Sequence, residues 1–311
     1  NFIGKTFVNP GNVSAKGFGD LMKWAFNRKN KPWTPIHDLK PGPKPESRIS
    51  DRIRVTFVNH ATFLIQVDGL NIITDPVWSN RVSPLSFIGP KRIRPPGIRY
   101  EDLPAIDLVL LSHNHYDHLD VETMKDIIRD HNPLIITPLG VGVFVKSLGS
   151  DKVFDMDWWD EKGVLNELTI ACTPAQHFSG RGAFDRDATL WCGYIIMREK
   201  GHIYYSGDSG YGSFYRDIGA RFGEMAVSMI PIGAYKPQWF MSPIHMSPAE
   251  AVQTHLDVNS RVSIAMHYGT FPLADDGQDE PVEELKVAVK NAGLTESEFL
   301  ALPEGEPFDL F

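Results

Sequence analysis

The polar and apolar positions of this chain fall into two regimes. Residues 1–50 are dominated by loop-forming composition. Their "NRKNKPWTP" and "LKPGPKPES" are rich in Pro, Gly, Lys and Asn. They read as an extended, largely irregular lead-in wrapped over a body that spans residues 51–311. From Arg52 the pattern changes. "RIRVTFVNHATFLIQVDGLNIITDP" alternates, is β-branched and breaks at Asp68-Gly69, which predicts a pair of strands with a turn. "AIDLVLLS" is a continuous apolar run of strand length, as expected of a strand covered on both faces. "VETMKDIIRD" then sets Val121, Met124, Ile127 and Ile128 at helical spacing behind Asp120, a good N-cap.

The same grammar recurs to the C-terminus. "LIITP" predicts a short buried strand, and "LGVGVFVKSLG" a helix ending at Gly149. "NELTIACTPAQH", "LWCGYIIM", "GHIYYSGDSG", "MAVSMIPIG" and "RVSIAMHYGT" predict further strands. In "SPAEAVQTHLDV", Ser247 and Glu250 form a capping box at a helix start. "PVEELKVAVKNAGL" is an amphipathic helix ending at Gly293. Strands mix with helices throughout, with no long linker after residue 50. The expected fold class is one α/β domain of two sheets with helices outside.

Composition narrows the function. Lys plus Arg number 31 against 39 for Asp plus Glu, giving −8. Such a chain lacks the cations that displace counterions from phosphates, so no nucleic-acid partner is expected. No run of 18 apolar residues offers a membrane-spanning helix. The chain begins at Asn1 rather than Met, which leaves the compartment, and a leader or anchor, open. Two cysteines, Cys172 and Cys192, are too few for a disulfide framework. A hairpin about residue 182 would bring them opposite each other; otherwise they are two buried free thiols.

The eleven histidines are unevenly spread. "LLSHNHYDHLD" packs His113, His115, Asp117 and His118 into six positions after an apolar strand. His113 and His115, two apart at a strand end, are expected to point the same way. Imidazoles with a carboxylate suit zinc, manganese or iron. Three more apolar strands each end on one metal-competent residue: His177, Asp208 and His267. Strand ends on one rim of a sheet core converge. Seven ligands suffice for two ions. The natural division gives His113, His115 and His177 to one, and Asp117, His118 and His267 to the other, with Asp208 between them. Paired ions lower the pKa of bound water from about 15.7 to about 7, so no side-chain nucleophile is required. None is evident: Cys172 lies inside a strand and no G-x-S-x-G elbow is present.

"HNHYDH" followed by His177, Asp208 and His267 resembles the metallo-β-lactamase superfamily. Its fold is a four-layer αβ/βα sandwich with a two-metal site on one edge. "FVNHATFLIQVDGLNIITDPVWSNRVSP", "GPKRIRPPGI", "DWWDE", "TPAQHFSGR", "GDSGY", "IPIGAYKPQWFM", "IHMSPAEAV" and "MHYGTF" follow the order of one branch. That branch is the N-acylphosphatidylethanolamine-hydrolysing phospholipase D group, and the similarity runs from about Phe7 to the C-terminus. The resemblance implies that the seven residues are the family's ligands for two zinc ions, with iron or manganese as alternatives. It implies a bridging hydroxide that attacks a phosphodiester, a phospholipid substrate and a homodimer. Asp208 stands where the antibiotic-hydrolysing members usually carry Cys, which argues against a β-lactamase. A hydrolase of another small phosphodiester, lactone or ester is the alternative. A non-catalytic scaffold is disfavoured by the intact ligand set.

Further roles follow from the resemblance. Asp75 resembles the family's buried Asp beside the first histidine cluster and would orient a ligand histidine. His60 in "NHAT" is either a core histidine or part of the site. His245 matches a histidine near the metals and joins Asp117 as a catalytic candidate, as electrophile or acid to the leaving oxygen. Ile244 departs from the polar residue the family often has before it. Tyr235, Trp239, Phe240 and Met241 are candidates for apolar substrate contact, and Arg181 for phosphate. "VWSNRVSPLSFIGPKRIRPPGIR" mixes Trp78, Leu85, Phe87 and Ile88 with Arg81, Lys91, Arg92, Arg94 and Arg99. Such a mixture suits peripheral contact with an anionic bilayer.

Overall fold

The computed structural model describes every residue except Asn30, in the lead-in, and Ser86, in the cation-rich loop; both lie outside the described residues. A small hairpin, β1 (Phe2–Ile3) and β2 (Thr6–Phe7), opens the chain. The first sheet then runs β3 (Ile53–Asn59), β4 (Thr62–Val67), β5 (Leu70–Thr74), β6 (Leu108–Leu110), β7 (Leu134–Pro138) and β8 (Val153–Met156). Its pairing is antiparallel up to β5 and parallel beyond. The second sheet comprises β9 (Glu161–Gly163), β10 (Thr169–Thr173), β11 (Gly193–Met197), β12 (His202–Tyr205), β13 (Met225–Pro231), β14 (Ser263–Met266) and β15 (Phe299–Leu300). It too is antiparallel first and parallel after β12. The last strand, β16 (Pro307–Leu310), returns to pair with β3 on the edge of the first sheet.

Alternation explains the layers. Phe63 and Ile65 of β4 join the core shared with Ile195, Tyr204 and Ile230 of the second sheet. Leu64, between them, faces the other way and packs with Ile73, Val109, Met124 and Ile127. Met124 and Ile127 belong to α2 (Val121–His131), which covers the first sheet with α3 (Val141–Ser147). α4 (Phe214–Phe222), α6 (Pro248–Asp257) and α7 (Glu280–Asn291) lie over the second sheet, and α5 (Gln238–Met241) is a single turn. Each buried Leu, Ile or Phe contributes about 1.5–3 kcal/mol, so the inter-sheet layer dominates stability. The result is the four-layer αβ/βα sandwich.

The capping box of α6 forms as expected, with Ser247 accepting from the Glu250 N–H and Glu250 accepting from the Ser247 N–H at 2.7 Å. Asp120 occupies the N-cap of α2 but caps nothing. Its carboxylate instead accepts from the Ser79 N–H and hydroxyl, at 2.9 and 2.8 Å, and pins that loop. Cys172 pairs with Tyr194, so Cys192 lies one diagonal step away; both thiols are free and buried.

Three expectations need correction. The stretch read as a pair of strands forms three, β3 to β5, because the chain turns at His60-Ala61 as well as at Asp68-Gly69. β6 ends at Leu110, so His113 and His115 sit in the loop beyond it and strand alternation does not aim them. The lead-in is not wholly irregular: α1 (Phe18–Asn27) forms within it. "FGDLMKWAFN" contains no Pro and several good helix formers, which the composition of the surrounding segment hides. Further along, Gly42 passes against the backbone of Gly305. A Cβ on Gly42 would lie 2.0 Å from the Gly305 carbonyl oxygen, so only glycine fits.

Candidate metal centre

The loops after β5, β6, β10, β12 and β14 meet on one edge of the sandwich. The histidine loop is set from beneath. The Ser112 N–H donates to Asp75 Oδ1 at 2.7 Å, and the Cys192 N–H donates to the Ser112 carbonyl at 3.0 Å. Leu119 N–H then donates to the His115 carbonyl at 2.8 Å and closes a turn. His177 is gripped through its backbone by Asn9. The Asn9 amide donates to the His177 carbonyl and accepts from its N–H, both at 2.8 Å. His267 donates its N–H to the His60 carbonyl at 2.7 Å. His60, Asp75 and His267 all have positive φ, at 49°, 32° and 60°. Such backbone persists only where the surroundings over-determine it, and it clusters at functional sites.

Two groups of side chains result. In one, His115 Nδ1 lies 2.8 Å from His113 Nε2 and 3.2 Å from His177 Nε2. In the other, Asp117 Oδ2 lies 2.9 Å from His60 Nε2 and 3.5 Å from both His118 Nε2 and His267 Nε2. Asp208 stands between them. Its Oδ2 is 2.9 Å from His267 Nε2, 3.1 Å from His118 Nε2 and 3.8 Å from His177 Nε2. Both groups bring their ligand atoms close enough to hold a metal ion.

The donor set fits a cation. Asp208 Oδ1, His118 Nε2 and His267 Nε2 are buried without a well-aligned hydrogen-bond partner. Left so, they would cost several kcal/mol; a shared positive ion satisfies them together. Burial pushes His113 well below the ordinary range, His115 down to about 3 and His177 to about 4, so their lone pairs are available. For His267, burial is outweighed by Asp208 and Asp117, which raise it to about 9; His118 is likewise raised by Asp208, Asp117 and Asp75. Burial would raise both carboxylates, yet His118 together with His267 holds Asp117 and Asp208 well below their usual range. A cation and these protons therefore compete for one place.

Asp75 supports the centre from below. Its Oδ2 accepts from His118 Nδ1 at 2.6 Å and from the Tyr205 hydroxyl at 2.5 Å. That bond turns His118 Nε2 toward the centre. His113 reaches the same carboxylate through the Ser112 hydroxyl, 2.9 Å from its Nδ1.

A cavity of about 300 Å³ opens directly above. Its floor is His115, Asp117, His177, Asp208 and His245, and its sides include Phe178, Phe240, Met241 and Leu273. The seven residues singled out in the sequence thus converge, with Asp75 beneath and His245 above. His60 joins them. Phe240 and Met241 reach the cavity. Trp239 points outward, 42% exposed, with Lys23 Nζ 5.0 Å over its ring. Tyr235 is buried away from the cavity. Arg181 turns to the other side of the histidine loop. It donates to the carbonyls of Asn114 and Leu119, both at 2.8 Å, and stacks on Tyr116 at 4.0 Å. Among the loop cations, Arg92 is buried against Phe271 and Arg94 pairs with Asp279 and Glu304. Leu85, Phe87 and Ile88 are exposed. Asn9 was not foreseen; an Asn before a Pro carries no signal of a partner 168 residues away.

With this geometry, comparison with known proteins becomes decisive. Residues 70–268 match the beta-lactamase superfamily domain. The chain belongs to that superfamily. It is 40% identical over 251 residues to an uncharacterized protein of Mycobacterium tuberculosis, covering 79% of this chain and 66% of that protein. The chain thus spans about two thirds of that relative's length. It is 38% identical over 264 residues to N-acyl-phosphatidylethanolamine-hydrolyzing phospholipase D 1 of Caenorhabditis elegans, covering 81% of this chain and 74% of that one. The solved structure of Igni18, a metallo hydrolase of Ignicoccus hospitalis, superposes with a TM-score of 0.64 at 24% identity, over 84% of this chain and 99% of that one. The chain thus combines the superfamily fold with a buried His/Asp cluster able to hold metal ions.

Proposed function

We propose that this superfamily member is a two-zinc phosphodiesterase of the phospholipase D type. It would cleave N-acylphosphatidylethanolamine to N-acylethanolamine and phosphatidic acid. The observation that carries this reading is the cavity: apolar walls of Phe178, Phe240, Met241 and Leu273 stand over a floor of buried His and Asp. A substrate that fits must be apolar on one side and polar at the reacting group. The similarity to the nematode phospholipase D supports the same substrate class.

In this reading His113, His115 and His177 hold one ion, Asp117, His118 and His267 the other, and Asp208 faces both. When bound, the ions supply an acidic water and positive charge for a phosphate. The chain's own groups do the rest. Asp75 and Ser112 fix the histidine loop. His60, at 2.9 Å, holds the Asp117 carboxylate so that it orients the attacking water. Burial keeps the His245 ring neutral, and the ring lines the cavity floor. From there a ring N–H would donate a hydrogen bond to the leaving oxygen. The apolar walls exclude water from the rest of the substrate. Exposed Phe18, Phe26 and Trp239 near α1 suit peripheral contact with a bilayer.

A second reading is a smaller soluble phosphodiester or ester. The modest cavity favours it, since ligand pockets run from about 300 to 1,000 Å³. One experiment separates the two. Hydrolysis of N-acylphosphatidylethanolamine is followed in mixed micelles with metal content measured on the same sample, and Asp208→Asn as the blank. Release of N-acylethanolamine by the wild type alone, with two metals per chain, is the expected outcome. Two metals without lipid turnover would discard the lipid substrate and keep the smaller one.

A further inference from the structure

We propose that Leu21 and Trp24 of α1 set which apolar group the site accepts. The inference rests on the reading above only in that an apolar part of the ligand enters the cavity. α1 precedes the region shared with the superfamily, which begins at residue 70. Yet Ala15, Leu21 and Trp24 line the same cavity as Asp117, Asp208 and His245. Trp24 stacks on Phe240 with ring centroids 5.2 Å apart and planes at 16°, so α1 and α5 form one continuous apolar wall. A group that leaves the metal-binding floor along Phe240 meets Trp24 next and Leu21 at the rim.

The attachment of α1 is what a selective wall needs. None of its ten residues is buried, so the helix contributes little to the core. Its polar contacts with the body gather at Ala274 and Asp275. The Asp275 carboxylate accepts from Trp24 Nε1 at 3.2 Å, from Arg28 Nε at 3.3 Å and from the Lys29 N–H at 3.2 Å. Arg28 also lies 4.7 Å over the Trp24 ring and fixes its plane. Trp24 is thus held between the Phe240 ring and Asp275, and Arg28 also donates to the Ala274 carbonyl at 3.3 Å. Leu21 remains 41% exposed although it faces the cavity, which places it at the mouth. A wall that reaches the ligand but not the chemistry should change discrimination between ligands.

The test compares N-acylphosphatidylethanolamines carrying six-carbon or sixteen-carbon acyl chains, in the same mixed micelles, with zinc-loaded full-length protein. Leu21→Trp narrows the mouth. It should lower the ratio of kcat/KM for long over short chains about tenfold, chiefly through KM. Leu21→Phe should fall between, and Trp24→Ala should shift the ratio by removing the wall. Melting temperatures check that the variants fold. A ratio within twofold of wild type in all three variants overturns the proposal. Absence of turnover by the wild type refutes the lipid reading instead. The wall is then tested by titrating the zinc-loaded protein with 11-(dansylamino)undecanoic acid. Weakening of at least about fivefold by Leu21→Trp supports the proposal, and unchanged affinity overturns it.

Discussion

The floor of the cavity and its outer wall are built in opposite ways. On the floor, nearly every polar side chain has its remote atoms or its backbone tied down. His118 is held by Asp75, His177 by Asn9 and the Ile244 carbonyl, and His267 through its N–H by His60. All are buried, and three residues there carry strained backbone. The wall rests on a helix with no buried residue, held by the Trp24–Phe240 stack and by polar contacts at Ala274 and Asp275. Rigid chemistry and adjustable selectivity therefore reside in separate parts of the chain. The floor's metal-competent residues other than His60 lie within the shared superfamily region, and the wall helix lies outside it.

The largest expected effect strikes the floor. Asp75→Ala strands the Ser112 N–H, the Tyr205 hydroxyl and His118 Nδ1 in the interior. It should cost about 3–5 kcal/mol in chemical denaturation. Zinc affinity in a competition titration should fall about 10–100-fold. Wild-type affinity in this variant would show that the floor is not held as described. A moderate effect concerns pH. His118 and His267 are raised by Asp208 and Asp117, His267 to about 9, so zinc must displace protons from them at neutral pH. Apparent affinity should climb from pH 6 to pH 9 and level off above. Calorimetry at pH 7 in two buffers of different ionisation enthalpy should report net proton release, and zero release would contradict the assigned charges. The smallest effect is on the wall. Asp275→Ala should lower global stability by no more than about 1 kcal/mol. It should still speed proteolysis at Arg28 and Lys29 severalfold, because α1 opens locally. Equal cleavage of variant and wild type would mean that α1 is fastened elsewhere.

Legibility in the sequence followed the same divide. The sheets were readable because period-two and continuous apolar runs record which faces are covered, and "LTIACT", "HIYYS" and "SIAM" lie in or over β10, β12 and β14. The metal-competent residues were readable because each follows such a strand on the same rim. α1 was masked by the Pro- and Gly-rich composition on either side, although Phe18, Leu21, Met22, Ala25 and Phe26 recur at helical spacing; that stripe is left largely exposed. His60 stayed ambiguous because a lone histidine in a strand turn has no partner in the local sequence; its contact, Asp117, is 57 residues away. Arg181 was placed by its distance from His177 alone. Spacing along a loop does not say on which side the side chain leaves, and the carbonyls of Asn114 and Leu119 take it to the far side.

The contact of Gly42 with Gly305, and of Arg28 with Asp275, has a consequence in time. The lead-in is synthesised first, but its seat is made nearly last. At about 5–20 residues per second, α1 waits roughly 10–50 s for Asp275 to emerge. β3 waits longer still for β16, its partner at the end of the chain. For most of that interval the metal-competent set is itself incomplete, because His267 precedes Asp275 by only eight residues. At those rates the floor and the anchor of its outer wall are completed within about two seconds of each other.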